Sequence, residues 1–517
     1  MRLPNVVVIG AGPGGLASAM LLAASGCKVT VIERELHAGG RTSWIERDGF
    51  RFDRGPTFFL YPDVLRSVFA MCGKRLEDEV DLIRLDPNYR LAFEGGPTIA
   101  AWSDAAKLKE EIAKLNAADA ANLDRYIADN RRKFEDFRPI LESPFNSHFD
   151  LLKLPLRRAL KSARPWSSVD ADLSRYFSDP RVRLALSFQS KYLGMSPFKC
   201  PSLFTILAFL EYEFGVFHPR GGCAAVSAAM HRVAESMGVE FRFGEAVESL
   251  TFAGRKIKSA HTASGRFDCD ALVVNADFAN AMRDLVPDAL RSRWTDRRIA
   301  GKKMSCSTFM MYLGIEGQYE DLAHHTIFLS SDYERNLRDI ERDFRIPENP
   351  SFYVHNPSLL DDSLAPAGHS SLYVLAPVPH LHENVDWESQ TKAFRGVVMR
   401  QLSKVGLSDI EDRILTEKVF TPKHWASELN LYKGATFSLS HSLDQMLSFR
   451  PRNRFEDLES VYLVGGGTHP GSGLPVIYQS AKTTARLLAE DFGIEVSAPT
   501  EALRPRSAWS TLAGESA

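Results

Sequence analysis

The sequence predicts an α/β protein whose first domain has a Rossmann-type, dinucleotide-binding fold. Residues 6–9 form a β-branched apolar run, which is typical of a buried strand. Glycines in G-x-G-x-x-G spacing begin at Gly10 and open a helical stretch. A second apolar run, residues 29–32, ends in Glu33. A strand, a glycine turn, a helix and a second strand with a terminal acid together indicate a βαβ nucleotide-binding unit.

Each residue of this motif has a physical role. Gly10 permits the tight turn, Gly12 lets the backbone approach a pyrophosphate, and Gly15 lets the helix pack closely on the strand. The helix N-terminus offers free N–H groups and a positive dipole end to the phosphates. Glu33 can accept hydrogen bonds from ribose hydroxyls and would repel a 2′-phosphate. The motif alone is compatible with either NAD or FAD.

The bulk composition narrows the class of protein. A chain of 517 residues favours two or more domains, and 44% hydrophobic with 25% charged residues is ordinary for a soluble enzyme. A net charge of -2 gives no basic field for nucleic acid. The six cysteines form no C-x-x-C pair, so neither a metal site nor a disulfide framework is expected, and a cytoplasmic location is favoured.

The apolar runs also limit membrane contact. The N-terminus does not read as a signal peptide, and no run is long enough to cross a bilayer, so any membrane contact should be peripheral. Residues 141–166 read as an apolar helix flanked by cations, which indicates either a helix in a membrane interface or an ordinary helix with a solvated basic face. The cations of this segment are Lys153, Arg157, Arg158, Lys161 and Arg164.

The chain returns to its first domain twice. Apolar strands at 239–243, 271–275 and 461–464 resemble those of the nucleotide domain, whereas the stretches between them read as a separate body. The predicted nucleotide-binding domain comprises residues 1–75, 220–285 and 455–496. A discontinuous α+β substrate and membrane-contact domain is predicted over 76–219 and 286–454, with a flexible tail at 497–517.

A second glycine-rich turn lies at the far end of the chain. Residues 465–475 leave a predicted strand and precede a helix that stops at Gly493. A loop with Gly39, Gly40 and Arg41 also leaves the second strand of the first unit. Two cofactor-facing loops favour FAD over a nicotinamide cofactor alone.

Histidines are the remaining candidates for chemistry. His469 could act as a base, but a loop residue held near the cofactor is the preferred interpretation. His324 and His325 are expected at the surface. No metal site is predicted, since no clustered Cys/His ligands are found.

Several motifs together resemble the bacterial-type phytoene desaturases, which are FAD-dependent flavoproteins of the amine-oxidase-like (GR2-like) group. The resemblance spans about residues 5–493. It is carried by the motifs at 10–15 with Glu33, 39–41, 215–222, 275–277, 449–454 and 467–475.

The resemblance implies a non-covalent FAD site. The last helix would point its N-terminus at the flavin N1–C2=O edge, where a positive dipole stabilises reduced flavin. The implied cofactor-binding residues are Gly10, Gly12, Pro13, Gly14, Gly15, Glu33, Arg34, Gly40, Arg41, Gly55, Pro56, Thr57, Val247, Asn275, Gly466, Gly467, Gly473, Leu474 and Pro475.

The resemblance also implies the activity: a carotenoid desaturase that introduces double bonds into a C30 or C40 polyene precursor, such as phytoene or diapophytoene, by hydride transfer to flavin. Its partners would be a lipophilic polyene, a peripheral membrane surface, and oxygen or a quinone as electron acceptor. The alternatives are an end-group oxidase or ketolase, an amine oxidase or protoporphyrinogen-type oxidase, and a non-catalytic chaperone.

Two departures from related patterns bear on these alternatives. Val476 follows Pro475 where the family often has glycine nearby, which affects the shape of the cavity over the flavin. Amine oxidases usually carry an acid where Gly467 and Thr468 stand, so its absence argues against that branch.

Overall fold

The computed structural model describes residues 3–153 and 156–496, so the predicted tail at 497–517 lies outside the described residues. The strands are β1 (Asn5–Ile9), β2 (Lys28–Glu33), β3 (Trp44–Arg47), β4 (Phe50–Asp53), β5 (Phe59–Leu60), β6 (Leu82–Arg84), β7 (Tyr89–Phe93), β8 (Thr98–Ala101), β9 (Val216–Pro219), β10 (Glu240–Phe243), β11 (Ser249–Ala253), β12 (Lys256–Thr262), β13 (Gly265–Asp268), β14 (Ala271–Val274), β15 (Ser307–Ile315), β16 (His325–Leu329), β17 (Phe352–His355), β18 (Ser370–Val378), β19 (Ile414–Phe420) and β20 (Val461–Leu463). The helices are α1 (Pro13–Ala24), α2 (Asp63–Met71), α3 (Leu76–Glu79), α4 (Ala105–Leu115), α5 (Ala117–Ala120), α6 (Leu123–Glu142), α7 (Leu156–Ala163), α8 (Val169–Leu173), α9 (Pro180–Ala185), α10 (Ile206–Phe214), α11 (Cys223–Ser236), α12 (Phe278–Leu285), α13 (Asp296–Ala300), α14 (Tyr333–Arg338), α15 (Trp387–Leu402), α16 (Ile410–Arg413), α17 (Pro422–Ser427) and α18 (Leu474–Phe492).

A five-stranded sheet carries the first predicted motif. Its order is β10-β2-β1-β14-β20, and every pairing is parallel. The helices α1, α11 and α18 pack on one face of this sheet, while α12 and the hairpin strands β11 and β12 cover the other. Both faces of the sheet are therefore covered. This explains why its strands are apolar throughout, as is usual for a parallel sheet. The α/β fold class is confirmed.

A second, seven-stranded sheet has the order β19-β15-β18-β17-β16-β7-β8. It is mixed, because β16 and β7 are parallel and the other pairs are antiparallel. Alternate residues of β15 point to opposite faces. Phe309 and Met311 pack with α15, whereas Met310 and Tyr312 pack against Phe52 of β4.

A helical body built on α4, α6 and α10 packs against β7, β8 and β16 of the seven-stranded sheet. At its centre the buried ammonium of Lys133 donates to Asp172 Oδ2 at 2.9 Å and to Thr205 Oγ1 at 2.7 Å. The pair is fully enclosed, and the added hydroxyl satisfies a further donor of the ammonium. A small sheet of order β5-β9-β6 joins this body to α11.

The basic segment at 141–166 is not one continuous helix. Helix α6 ends at Glu142, and Ser143, the residue before Pro144, has the extended backbone that a following proline favours. A 3₁₀ stretch covers His148–Lys153, and α7 begins at Leu156. Among the described residues, no helix has both the length and the apolar character that crossing a bilayer requires.

We propose the same two-domain division that the sequence predicts. All strands of the five-stranded sheet fall within 1–75, 220–285 and 455–496, and all strands of the seven-stranded sheet fall within 76–219 and 286–454. The sheet β5-β9-β6 crosses the proposed boundary, because β5 belongs to the first set and its partners to the second.

Candidate active site and cofactor cleft

One cavity of about 630 Å³ is lined by both sheets. Its walls combine the glycine turn after β1, the end of β2 and the loop before α18 with residues of α10 and of the seven-stranded sheet. A nucleotide cleft and a substrate chamber therefore form one continuous space.

Most of the sequence-predicted cofactor residues meet at this cavity. Gly15, Gly467 and the candidate base His469 are not part of the lining. The predicted residues that line it are Gly10, Gly12, Pro13, Gly14, Glu33, Arg34, Gly40, Arg41, Gly55, Pro56, Thr57, Val247, Asn275, Gly466, Gly473, Leu474 and Pro475.

Gly10 and Gly15 lie so close to neighbouring backbone atoms that neither position has room for a Cβ atom. Gly10 has φ +95°, and a Cβ there would overlap the carbonyl of Asn275. A Cβ on Gly15 would overlap the carbonyl oxygen of Gly10. The amide of Asn275 donates to that same oxygen at 3.1 Å. The absence of a Cβ at Gly15 therefore allows the shape of the turn at Gly10, although Gly15 itself does not line the cavity.

Glu33 is fixed at the end of β2. Its Oε2 accepts from the backbone N–H of Ala11 at 2.6 Å, and its Oε1 accepts from that of Glu35 at 2.9 Å. Burial raises the pKa of this carboxyl, and the two backbone donors oppose the rise. Each carboxylate oxygen can accept more than one hydrogen bond, so capacity remains for hydroxyl donors in the cavity.

Arg41 brings positive charge to the cavity wall. Its Nη1 donates to the carbonyl of Thr436 at 2.6 Å. Burial lowers the pKa of the guanidinium, and the nearby Asp277 opposes that effect. A desolvated guanidinium with further donors is suited to a phosphate.

The loop before α18 is held from outside the cavity. The buried guanidinium of Arg450 donates to the carbonyls of Gly466 at 2.7 Å and Leu439 at 3.1 Å. Burial lowers its pKa to about 9. His441 Nε2 accepts from the backbone N–H of Ser472 at 2.9 Å. Helix α18 starts after Gly473 without a side-chain cap, so its first N–H groups remain available at the cavity.

The supporting role of Arg450 and His441 was not predicted. The arginine belongs to the motif at 449–454, which carries part of the family resemblance, but spacing alone does not show what it contacts. His441 lies outside every motif. The sequence offered one signal, an arginine within a loop. If such an arginine is buried, its cation needs several hydrogen-bond acceptors.

The structure does not bring His469 to the cavity. Its ring is fully buried, its Nε2 lies 3.0 Å from the carbonyl of Ser143, and Phe145 packs edge-on at 4.8 Å. Burial lowers its pKa to about 3, so the ring is neutral and donates to that carbonyl. The ring therefore supports the segment around Ser143, whereas a loop residue held near the cofactor was expected from the sequence.

The surface placement predicted for His324 and His325 is wrong. His325 is fully buried and His324 is half-buried. The physical reason is that β16 is an interior strand of the seven-stranded sheet. The ring of His325 stacks on Phe58 at 4.0 Å, and Phe58 lines the cavity.

The substrate-facing wall is apolar. Among its described residues from 188–210 and 306–377, Lys191 is the one charged side chain, and it pairs with Glu341 at 3.2 Å. The apolar and aromatic members of this wall are Phe188, Tyr192, Leu193, Leu207, Leu210, Met310, Ile327, Phe328, Leu329, Tyr333, Phe352, Tyr353, Tyr373, Leu375 and Pro377.

A buried carboxyl lies behind this wall. Glu211 Oε2 accepts from Tyr89 at 2.8 Å and from Gln189 at 2.9 Å. Burial raises the pKa of Glu211 to about 7, and the hydrogen bonds from Gln189 and Tyr89 oppose this rise. The wall behind the aromatic residues is therefore uncharged below neutral pH.

These features fit a dinucleotide whose second half is a flavin. A carboxylate stands at the ribose end, a guanidinium can meet the pyrophosphate, and a second helix N-terminus points into the same space. A nicotinamide dinucleotide would not need the second helix at the far end of the chain. The fold and the cleft thus define a flavoprotein with an apolar substrate chamber.

Comparison with known proteins agrees with this class. The family model for flavin containing amine oxidoreductases matches residues 13–489, and the chain is an FAD-dependent oxidoreductase. A putrescine oxidase structure aligns with a TM-score of 0.61 over 95% of this chain and 99% of its own, at 16% identity. An oxidoreductase from Methanosarcina mazei aligns with a TM-score of 0.59 over 93% and 100%, at 18% identity. These two show a shared fold.

Closer relatives identify the family. A 4,4'-diapophytoene desaturase (4,4'-diapolycopene-forming) of Methylomonas is 42% identical over 94% of this chain and 95% of its own. An all-trans-zeta-carotene desaturase of Myxococcus xanthus is 40% identical over 95% and 94%. A lycopene-forming phytoene desaturase of Pseudescherichia vulneris is 36% identical over 95% and 100%. The chain belongs to the bacterial-type phytoene desaturase family.

The close approach at Gly15 predicts a cofactor-binding phenotype. In Gly15→Ala the new methyl group must displace the turn at Gly10, so the purified variant should lose most of its bound flavin. The control is Gly396→Ala in α15, where the nearest atom is the flexible end of Arg400 at 3.5 Å. Flavin per chain is measured by absorbance after denaturation. A Gly15→Ala protein with full flavin content would contradict the assignment.

The burial of Glu211 predicts a pH-dependent stability. Its pKa is about 7 in the folded protein and about 4.5 when exposed, so the folded state holds an extra proton between these values. The free energy of unfolding should therefore fall as pH rises through this window, by about 3 kcal/mol relative to Glu211→Gln. Denaturant unfolding of both proteins at pH 4.5 and pH 8 measures the difference.

The exposed carboxylate of Glu110 provides the control for losing an acid. Glu110→Gln should follow the wild-type pH dependence. Equal pH dependence in wild type and Glu211→Gln would show that Glu211 is not a buried acid with a raised pKa.

Proposed function

We propose that the protein dehydrogenates an acyclic C30 or C40 polyene precursor and converts carbon–carbon single bonds into double bonds. The observation that carries this proposal is the continuity of the dinucleotide cleft with an apolar chamber. A hydrocarbon has no group that could be held by a hydrogen bond, so its binding depends on apolar surface and shape. The names of the relatives support the same substrate class.

The substrate-facing wall argues against a soluble amine as substrate. A buried protonated amine would need a carboxylate as counter-ion, and the described lining residues of this wall include no carboxylate. Lys191 is the charged residue of this wall, and it is a cation. Gly467, where an acid is usual in amine oxidases, packs against Phe278.

The chemistry of each step removes two hydrogens from adjacent saturated carbons. Bound FAD supplies the acceptor for the hydride. The second hydrogen leaves as a proton to solvent, one C=C bond forms, and an external oxidant, oxygen or a quinone, receives the electrons. The protein's part is to align the chain and to exclude water, which the apolar wall between α10 and β16 is suited to do.

Co-expression with enzymes that make a colourless C30 or C40 precursor tests this proposal. We expect coloured products whose masses fall by two hydrogens per step, with longer-wavelength absorption. Leu210→Trp fills part of the chamber and should lower the number of double bonds while the flavin content is kept. Leu360→Trp is the matched control, since Leu360 is 43% exposed.

Other outcomes distinguish the alternatives. Products that gain oxygen without new double bonds would make the protein an end-group oxidase or ketolase. Release of peroxide with soluble amines, and no change in the polyene, would make it an amine oxidase. A purified protein without bound flavin would revive the chaperone interpretation.

We also propose peripheral membrane binding through the segment at 141–166. Its exposed side chains include Phe149 at 74%, Leu152 at 80% and Trp166 at 83% exposure, next to the cations Arg157 and Arg158. Large apolar side chains among exposed cations suit the boundary between headgroups and acyl chains. A membrane-resident polyene would need such a contact.

Liposome flotation tests the membrane proposal. The triple variant Phe149→Glu, Leu152→Glu, Trp166→Glu should lose most of the flotation with anionic liposomes, since each change removes apolar contact and adds repulsion. The control replaces Leu360 and Leu415 with glutamate, because both are exposed elsewhere on the surface. Equal flotation of the two variants would refute this surface.

A further inference from the structure

Histidines from three separate strands converge beside the cavity. His218 lies on β9, His324 immediately precedes β16, and His355 ends β17. The ring centroids of His324 lie 4.7 Å from those of both His218 and His355. We call these three residues the histidine triad. His218 and His355 are 1% and 2% exposed, and His324 is half-buried.

The ring nitrogens of the triad are close enough to share one ion. One nitrogen from each residue lies within 4.8 Å of the other two. The Nε2 atoms of His324 and His355 lie 3.1 Å apart as a hydrogen-bonded pair, which a bound ion would replace. Nitrogens bound to a tetrahedral ion at about 2.1 Å lie about 3.4 Å from each other, so small ring rotations bring the triad to this geometry.

A buried carboxylate orients the triad. Asp361 Oδ2 accepts from His218 Nε2 at 2.9 Å and from the backbone N–H of Gly221 at 2.6 Å. Its Oδ1 accepts from the hydroxyl of Ser363 at 2.6 Å. A carboxylate that holds one nitrogen of a histidine fixes the tautomer and leaves the other nitrogen as a ligand. Asp361 also supplies negative charge to offset a buried cation.

Two nitrogens of the triad have no partner within the described part of the chain. They are Nδ1 of His218 and Nδ1 of His324, and both are buried. A buried polar atom without a partner is destabilising, and a bound ion would satisfy the Nδ1 atom of His218.

We propose that the histidine triad binds one divalent transition-metal ion, with Zn²⁺ as the expected occupant. Three imidazoles and no oxygen ligand favour Zn²⁺ over Mg²⁺ or Ca²⁺. The ion would tie β9 to β16 and β17, and so join the small sheet to the large one. His325 follows His324 directly and its Nδ1 lies 2.7 Å from the hydroxyl of the cavity residue Tyr353, so the ion would brace this wall of the chamber.

Metal analysis and cobalt spectroscopy of the flavin-loaded protein test the proposal. We expect one Zn²⁺ per chain after reconstitution of chelator-treated protein. Co²⁺ added alone should give the visible ligand-field band of a tetrahedral nitrogen site in the difference spectrum. Both signals should disappear in His324→Gln, which changes the most accessible ligand. His261→Gln, on the β12 strand of another sheet, is the matched control and should keep both.

The wild-type protein decides the question even where a variant fails to fold. Wild type that takes up neither Zn²⁺ nor Co²⁺ would overturn the proposal and leave the triad as a hydrogen-bonded group. Equal metal uptake by wild type and His324→Gln would also overturn it, by placing the ion elsewhere. Neither readout depends on desaturase activity.

Discussion

The shape of the cavity depends on the hydrogen bonds that Arg450 donates to the loop before α18 and to Leu439, which we call the Arg450 clamp. Its guanidinium is fully buried and meets neutral carbonyls of Gly466 and Leu439 rather than a carboxylate. Burying a cation with neutral acceptors is costly, so the arrangement persists only where it fixes something else. It fixes the approach of the last glycine loop to the nucleotide turn that begins the chain. The two ends of the sequence are thereby held on one cavity.

The two ends of the cavity that the Arg450 clamp holds together differ in polarity. The dinucleotide end presents Glu33 and Arg41, each held by backbone partners at the ends of secondary-structure elements. The other end presents aliphatic and aromatic side chains, with Lys191 already paired. A charged cofactor and a hydrocarbon substrate need opposite surroundings, and the junction of two sheets provides both. Reduction of flavin is favoured by positive potential, while the apolar wall keeps water from the reacting carbons.

Much of the cofactor cleft could be predicted because it depends on local chemistry. The turn at Gly10 needs a positive φ, and Glu33 follows a strand at a fixed distance, so both leave a pattern in sequence. The histidine triad left none, since its members are far apart in the sequence and come together only when the small sheet with β9 packs beside the paired strands β16 and β17. His325 was expected at the surface for the same reason. It is buried because β16 lies between β17 and β7, and the residues next to His325 in the sequence do not reveal that strand order. The complete chamber wall could not be assembled from the sequence, because it joins the α10 region to strands of the second sheet.

The most direct test of the central claim is anaerobic mixing of the flavin-loaded protein with a colourless acyclic polyene in liposomes. If the chamber delivers a hydrocarbon to the flavin, the yellow absorbance is lost in a single turnover, with one double bond formed per flavin reduced. A saturated chain of the same length should leave the flavin oxidised. The account is contradicted if the flavin stays oxidised with every polyene and is bleached by a soluble amine, because the apolar chamber would then not be the substrate site.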